Sequence, residues 1–165
     1  MSGSEKPVFS SAALDSGPAR EVKRSGLTGC PWHDVKAMLR DVGLRPTRQR
    51  MALGWMLFGK GDRHVTAEML YEEAIKAKVP VSLATIYNTL HQFTDAGLLR
   101  QVVVDSGRSY FDTNTSDHHH FFFEDSGRLK DIPGDAVHVS TLPAPPAGAR
   151  IQRVDVIVRV DKDEA

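Results

Sequence analysis

The sequence predicts an α/β (α+β) chain: an N-terminal winged helix-turn-helix, then a small C-terminal α/β domain that pairs with a second copy of itself. Three observations predict it. Apolar residues recur at helical spacing in capped segments before Gly97. Two Asp-Ser-Gly turns, Asp105-Ser106-Gly107 and Asp125-Ser126-Gly127, each join short β-prone runs. After Phe111 the helical period gives way to strands, and Pro133, Pro143, Pro145 and Pro146 keep any later helix short. The expected division is a tail over residues 1–32, a winged helix over 33–111 and a dimerisation domain over 112–165.

Each element has a local cause. Residues 1–29 are rich in Ser and Gly, with few large apolar side chains, and read as a mobile tail. Val35, Met38, Leu39 and Val42 mark a first helix that Gly43 ends. Pro46 starts a second helix running to Phe58, with Thr47 in its first turn. Thr66 and Glu68 open a third, with Ala67, Leu70, Tyr71, Ala74 and Ile75 as its apolar face and His64 in the loop before it. Ser82 caps a fourth helix, closed by Gly97, whose buried stripe is Leu83, Ile86, Leu90 and Phe93. Leu98 to Val104 and Arg108 to Phe111 then form a hairpin, the wing. Arg128 to Ile132 and Ile151 to Val160 are the late strands; the last presents Val154, Val156, Val158 and Val160 on one face and is expected to pair across a dimer. A second half this small does not stand well alone.

The stretch Asp117-His118-His119-His120-Phe121-Phe122-Phe123 carries the chemistry. The Phe run places it on a buried strand, and alternation puts His118 and His120 on one face with His119 on the other. Two imidazoles on one side of a strand form a metal-ligand pair, and imidazole suits Zn, Fe, Ni and Cu alike. A polar strand end with solvated histidines fits the same residues, and both readings stand at this point.

Composition bounds the rest. The chain has 165 residues, 41% of them hydrophobic, with 21 basic and 21 acidic side chains. No apolar run reaches the ~20 residues of a membrane span, so no membrane partner is expected. No apolar signal core opens the chain, so the expected location is cytoplasmic. The single cysteine, Cys30, excludes an intramolecular disulfide and a Cys-rich zinc site. No nucleophile–base constellation and no Gly-rich phosphate loop stand out, so no catalytic role is expected. From Lys36 to Arg50 there are five basic residues and one acidic, a patch able to hold phosphates, with Arg45, Arg48 and Arg50 around the second helix start. Opposite the buried stripe of the fourth helix stand Ala84, Thr85, Asn88, Gln92 and Asp95, with Tyr87 at the edge. Small and amide side chains on such a face fit a major groove, where Thr meets a thymine methyl and Asn pairs with adenine. An ordinary amphipathic helix has the same pattern. Cys30-Pro31 leaves a sulfur on an extended segment, either a haem ligand with His33 nearby or a chance dipeptide.

Four separated motifs now agree. Leu44-Arg45-Pro46-Thr47-Arg48-Gln49-Arg50, His64-Val65-Thr66-Ala67-Glu68, Ser82-Leu83-Ala84-Thr85-Ile86-Tyr87 and Asp117-His118-His119-His120 resemble, in order and spacing, the ferric uptake regulator family over roughly residues 35–160. The resemblance implies metal-dependent binding of double-stranded operator DNA by a homodimer, with Arg45, Arg48, Ser82, Ala84, Thr85, Tyr87 and Asn88 at the DNA. It implies a regulatory Fe(II) or Mn(II) site on His64, Asp112, His118, His120 and Asp131. The family's structural zinc, held by four cysteines, is expected to be absent, since Phe123 and Ser126 occupy the first Cys pair and no later cysteine exists. A second family site would draw on His119, Asp117 and His138, with Val154 where a later histidine usually stands. These departures, with Cys30-Pro31, resemble the iron response regulator branch. That branch implies a mainly repressing regulator of haem synthesis and iron homeostasis genes. It would bind haem through Cys30 and through His118, His119 and His120, the haem handed over by a haem-synthesis enzyme. A peroxide- or manganese-sensing repressor, and a haem-binding or haem-trafficking protein, are the alternatives.

Overall fold

The computed structural model describes residues 31–161; Cys30 and the rest of residues 1–30 lie outside them. Four helices come first: α1 (Pro31–Asp41), α2 (Arg48–Phe58), α3 (Ala67–Lys76) and α4 (Leu83–Asp95). The starts of the last three are set by side-chain caps. Thr47 accepts from Arg50 N at 3.3 Å, Thr66 from Met69 N at 3.1 Å and Ser82 from Thr85 N at 3.1 Å. Each hydroxyl satisfies an amide that the first turn leaves unpaired. The Thr47 cap corrects the expected start of α2, because Pro46 now stands outside the helix. Gly43 and Gly97, with φ of +78° and +79°, take the left-handed turn that ends α1 and α4.

The helices bury one core, built from Val35 and Leu39 of α1, Leu53 and Leu57 of α2, Leu70 and Ala74 of α3, and Ile86, Leu90 and Phe93 of α4. Ile75, expected on the apolar face of α3, is exposed instead. Helices α1 and α2 meet where α2 has no side chain: a Cβ at Gly54 would lie 2.7 Å from Val35 Cγ1.

Two three-stranded sheets complete the fold. The first has the order β1-β3-β2, from β1 (His64–Val65), β2 (Arg100–Asp105) and β3 (Arg108–Asp112), all antiparallel. The second has the order β5-β4-β6, from β4 (His118–Phe123), β5 (Arg128–Pro133) and β6 (Ile157–Val160). Strand β4 is central, antiparallel to β5 and parallel to β6. The last strand is therefore shorter than the expected 151–160; within the chain it pairs with β4, and it stands at the edge of its sheet. The reason sits at Val156, whose N–H goes to His119 Nδ1 at 3.2 Å rather than into the ladder. Regular pairing begins only beyond it.

Phe122 joins the two sheets. It is fully buried and packs with Val102, Val104 and Tyr110 of the wing, with Leu129 and Ile157 at the edge of that cluster. The Tyr110 hydroxyl donates to Gly127 O, and Arg159 donates to Val104 O. The Phe run thus supplies apolar packing between wing and C-terminal sheet.

Gly54→Ala is expected to destabilise the protein by about 1–3 kcal/mol, since the methyl must displace the fully buried Val35. A urea midpoint equal to or above that of the parent would refute this reading of the α1–α2 contact.

Candidate metal centre

Polar side chains from the central and the edge strands of both sheets come together at one point. In the first, His64 and Asp112 are direct cross-strand partners on β1 and β3. In the second, His120 and Asp131 are partners on β4 and β5. Opposed residues of an antiparallel pair share a face. His118 joins them from the same face of β4, two residues from His120. The solvated strand end is excluded, because His118 and His120 are 3% and 1% exposed. His119 points the other way and receives the Val156 N–H.

One ligand atom from each of His64, Asp112, His118, His120 and Asp131 lies within 4.8 Å of all the others. Asp112 Oδ2 is the focus. It is 2.8 Å from His118 Nε2, 3.1 Å from His120 Nε2 and 3.3 Å from His64 Nε2. Asp131 Oδ1 closes the far side, 2.8 Å from His64 Nε2 and 3.6 Å from the other two imidazoles.

The protons do not account for this arrangement. His118 Nδ1 sits 2.8 Å from the Ser116 carbonyl. A carbonyl only accepts, so Nδ1 carries the hydrogen. In the neutral ring Nε2 is then a bare lone pair, yet it faces Asp112 Oδ2 and, at 3.0 Å, His120 Nε2. His64 Nε2 and Asp131 Oδ1, though close, are both without an aligned hydrogen bond. Lone pairs and carboxylates converging on one point make a place for a cation. The set is three nitrogens and two oxygens, and a divalent ion would neutralise the two carboxylates. Bonds of ~2.1 Å at right angles put neighbouring ligand atoms about 3 Å apart, which these residues already nearly match. Nitrogen and oxygen ligands in this number suit Fe(II) or Mn(II) better than four-coordinate structural zinc.

Asn114 holds the two carboxylates in place. Its N–H donates to Asp112 Oδ1 at 2.8 Å and its amide to Asp131 Oδ2 at 3.2 Å, while its own Oδ1 receives Ser116 N and Oγ. Asp112-Thr113-Asn114 is a local turn signal, but the sequence pattern does not mark Asn114 as part of the site. The same pattern places His64 in a loop. A two-residue strand has no readable period, and only its pairing with Asp112, fixed by Thr113 N donating to Arg63 O at 3.0 Å, shows the position.

The expected nucleic-acid residues lie on α4 and around the start of α2. Ala84, Tyr87 and Asn88 are exposed on α4, Thr85 is half-buried, and Ser82 is spent on the cap. The Tyr87 hydroxyl donates to Glu68 at the start of α3. Arg50 donates to Gln92 Oε1 on α4 and, through Nη1, to Arg45 O at 2.9 Å. Arg45 and Arg48 are exposed. Of the expected haem ligands, Cys30 lies outside the described residues. His118 and His120 are turned inward on the cluster, and His119 on the Val156 N–H, so a porphyrin at these rings requires a rearrangement.

Fold and site together define a class: a winged helix-turn-helix tied to a small β domain through a buried cluster of three histidines and two aspartates. Residues 41–157 match the ferric uptake regulator family, and the chain belongs to it. The ferric uptake regulation protein of Vibrio cholerae serotype O1 is 32% identical over 105 residues, 63% of this chain and 70% of that protein. The peroxide-responsive repressor PerR of Staphylococcus epidermidis is 38% identical over 97 residues, 58% of this chain and 63% of that one, so less than two thirds of the repressor is spanned. Among solved structures, the ferric uptake regulator from Pseudomonas aeruginosa with manganese superposes with a TM-score of 0.59 at 26% identity, covering 79% of this chain and 98% of that one. The Vibrio cholerae ferric uptake regulator has the same fold, with a TM-score of 0.60 at 22% identity over 77% of this chain and 98% of that one.

Burial penalises the His64 imidazolium, but Asp112 and Asp131 outweigh it and raise its pKa above 6.5. Burial likewise opposes the Asp112 carboxylate, and the neighbouring His120 and His64 imidazoles overcome this and hold it far below its usual range. In metal-free protein the His64 contribution is full below pH 6.5 and is lost as pH rises through the raised value; the Asp112 contribution is lost only in strong acid. The urea midpoint of metal-free protein is therefore expected to fall as pH is raised from about 6 to about 9, and Asp112→Asn to flatten that slope. Equal slopes in parent and variant would contradict it.

Proposed function

We propose that the protein is a metal-responsive transcriptional regulator that binds double-stranded operator DNA as a homodimer, with Fe(II) or Mn(II) at His64, Asp112, His118, His120 and Asp131. The observation that carries this is the bare His118 Nε2 aimed at Asp112 Oδ2, a geometry a cation satisfies. Its relatives by sequence are a ferric uptake regulation protein and a repressor, regulators rather than enzymes. Among the described residues no helix is long and apolar enough to cross a membrane.

The ligands belong to both sheets, His64 and Asp112 to the wing sheet and the other three to the C-terminal one. A divalent ion held by all five would fix the angle between the halves. In a dimer that angle sets the spacing of the two α4 helices on DNA. The residues' own work is to converge their lone pairs, exclude water and hold Asp112 ionised. Metal binding then favours the DNA-competent arrangement by its differential affinity for that state.

The test is titration of the metal-free chain with Mn(II), followed by binding to duplexes selected from a random pool. One equivalent of Mn(II) per chain and at least tenfold tighter DNA binding with metal are expected, and His118→Ala should abolish both. Metal-independent DNA binding by a protein that holds no Mn(II) would overturn the proposal. Affinity should also fall steeply with salt, and Arg45→Ala should reduce that slope by about 1. Replacing Asn88 should reorder affinities among base-substituted duplexes; an unchanged order would remove it from base reading.

A haem-responsive form of the same regulator is the second reading, controlling haem synthesis and iron genes. Cys30-Pro31 and the missing cysteine pairs favour it. Ferric haem should give a thiolate-type Soret band that Cys30→Ala removes. A titration unaltered by that change would leave the metal alone as effector.

A further inference from the structure

Arg100 is 4% exposed, unusual for a guanidinium. It stands on β2 directly across from Asp112 on β3, as His64 does on the other side. The three therefore lie in one row across the wing sheet. Arg100 does not spend its charge on the metal ligands. Nη2 donates to Asp155 Oδ1, and Nη1 donates at 3.2 Å to the Ser116 carbonyl. That carbonyl is the one His118 Nδ1 uses at 2.8 Å.

Asp155 is equally well placed. It immediately precedes Val156, whose carbonyl receives His120 N at 3.1 Å and whose N–H reaches His119. Arg153 holds its second oxygen at 2.9 Å. Burial opposes the Asp155 carboxylate, but Arg153 and Arg100 together hold it below its usual range, so it is ionised under ordinary conditions. The pair thus ties the wing strand β2 to the segment that leads into β6, alongside the metal ligands but through none of them.

Resting on the metal reading above, we propose that Arg100 and Asp155 form a latch that presets the metal centre, with Arg100 a positioning residue for His118 through the shared Ser116 carbonyl. Closing the two sheets on each other before metal arrives leaves the ion less reorganisation to drive. A fixed Ser116 carbonyl also holds the His118 ring in the tautomer that offers Nε2. Partners one shell out from metal ligands typically change affinity 10–100-fold.

The experiment is competition of the full chain with a fluorescent chelator for Mn(II) alone, for the parent, Arg100→Met, Arg100→Lys, Asp155→Asn and the Arg100→Met/Asp155→Asn double variant. Circular dichroism and urea midpoints are recorded on the metal-free proteins. Arg100→Met is expected to weaken Mn(II) binding about 10–100-fold. Arg100→Lys, which keeps the charge without the fork, should lose less. Asp155→Asn should lose at least as much as Arg100→Met, because it strands a buried guanidinium, and the double variant should bind no worse than Asp155→Asn. If Arg100→Met does not fold, Arg100→Lys and Asp155→Asn carry the test. Folded variants whose Mn(II) affinity stays within twofold of the parent overturn the latch, even if their urea midpoints drop, since that is what a merely structural pair would do. A parent chain that binds no Mn(II) overturns the metal reading itself, a separately recognisable result.

Discussion

Asp112 is ionised at a position with no exposed side-chain surface. A charge there persists only if groups of opposite sign or aligned donors surround it. Three imidazoles, one backbone amide and a second carboxylate are arranged around that single group. The rest of the architecture follows from keeping it supplied. The two-residue strand β1 carries His64 opposite it, and the turn that follows Asp112 presents Asn114. The second sheet meets the first at this point because His118, His120 and Asp131 complete the shell. The contact is polar at one end of the meeting and apolar at the other, where Phe122 packs on the wing.

The surface of α4 is arranged with comparable economy. Two of its side chains are fixed from neighbouring helices: Tyr87 by Glu68 of α3, and Gln92 by Arg50 of α2. Both ties cost conformational freedom before any partner arrives, so less is lost on binding. Arg50 also fixes the Arg45 carbonyl, which links the basic loop to the same helix. Helix α3 is anchored in turn by Glu73, paired with Arg63, the residue before His64. The chain from cluster to the exposed face of α4 is continuous, from the Arg63 and Glu73 pair along α3 to the Glu68 and Tyr87 pair.

How much of this was legible in the sequence depends on how local each cause is. The caps at Thr66 and Ser82, the glycine stops and both hairpin turns rest on interactions within a few residues, and they could be read directly. The alternation of His118, His119 and His120 followed from strand geometry alone. The five-residue cluster did not. It came from family resemblance, because His64 and Asp112 are joined by a strand too short to have a pattern. Pro46 misled because proline fits either side of a helix start, and the Thr47 hydroxyl decides which. Ile75 misled because helical spacing marks a stripe wider than the core covers. Arg100 and Asp155 lie 55 residues apart in irregular or β structure, and no periodicity links them. The Val run from 154 to 160 looked like one long strand because nothing local reveals that the Val156 amide is claimed by an imidazole.

The parallel pairing of β4 with β6 separates having the ligands from having the sheet. His120 faces Ile157 across that ladder, while all five ligand residues lie at or before Asp131. A chain cut after Asp131 would keep every ligand residue and lose the strand that closes one edge of β4. Its open edge, beside the Phe run, would then be a template for pairing with another chain. The final residues thus serve as an edge cover, a protection against self-association that is distinct from the chemistry of the cluster.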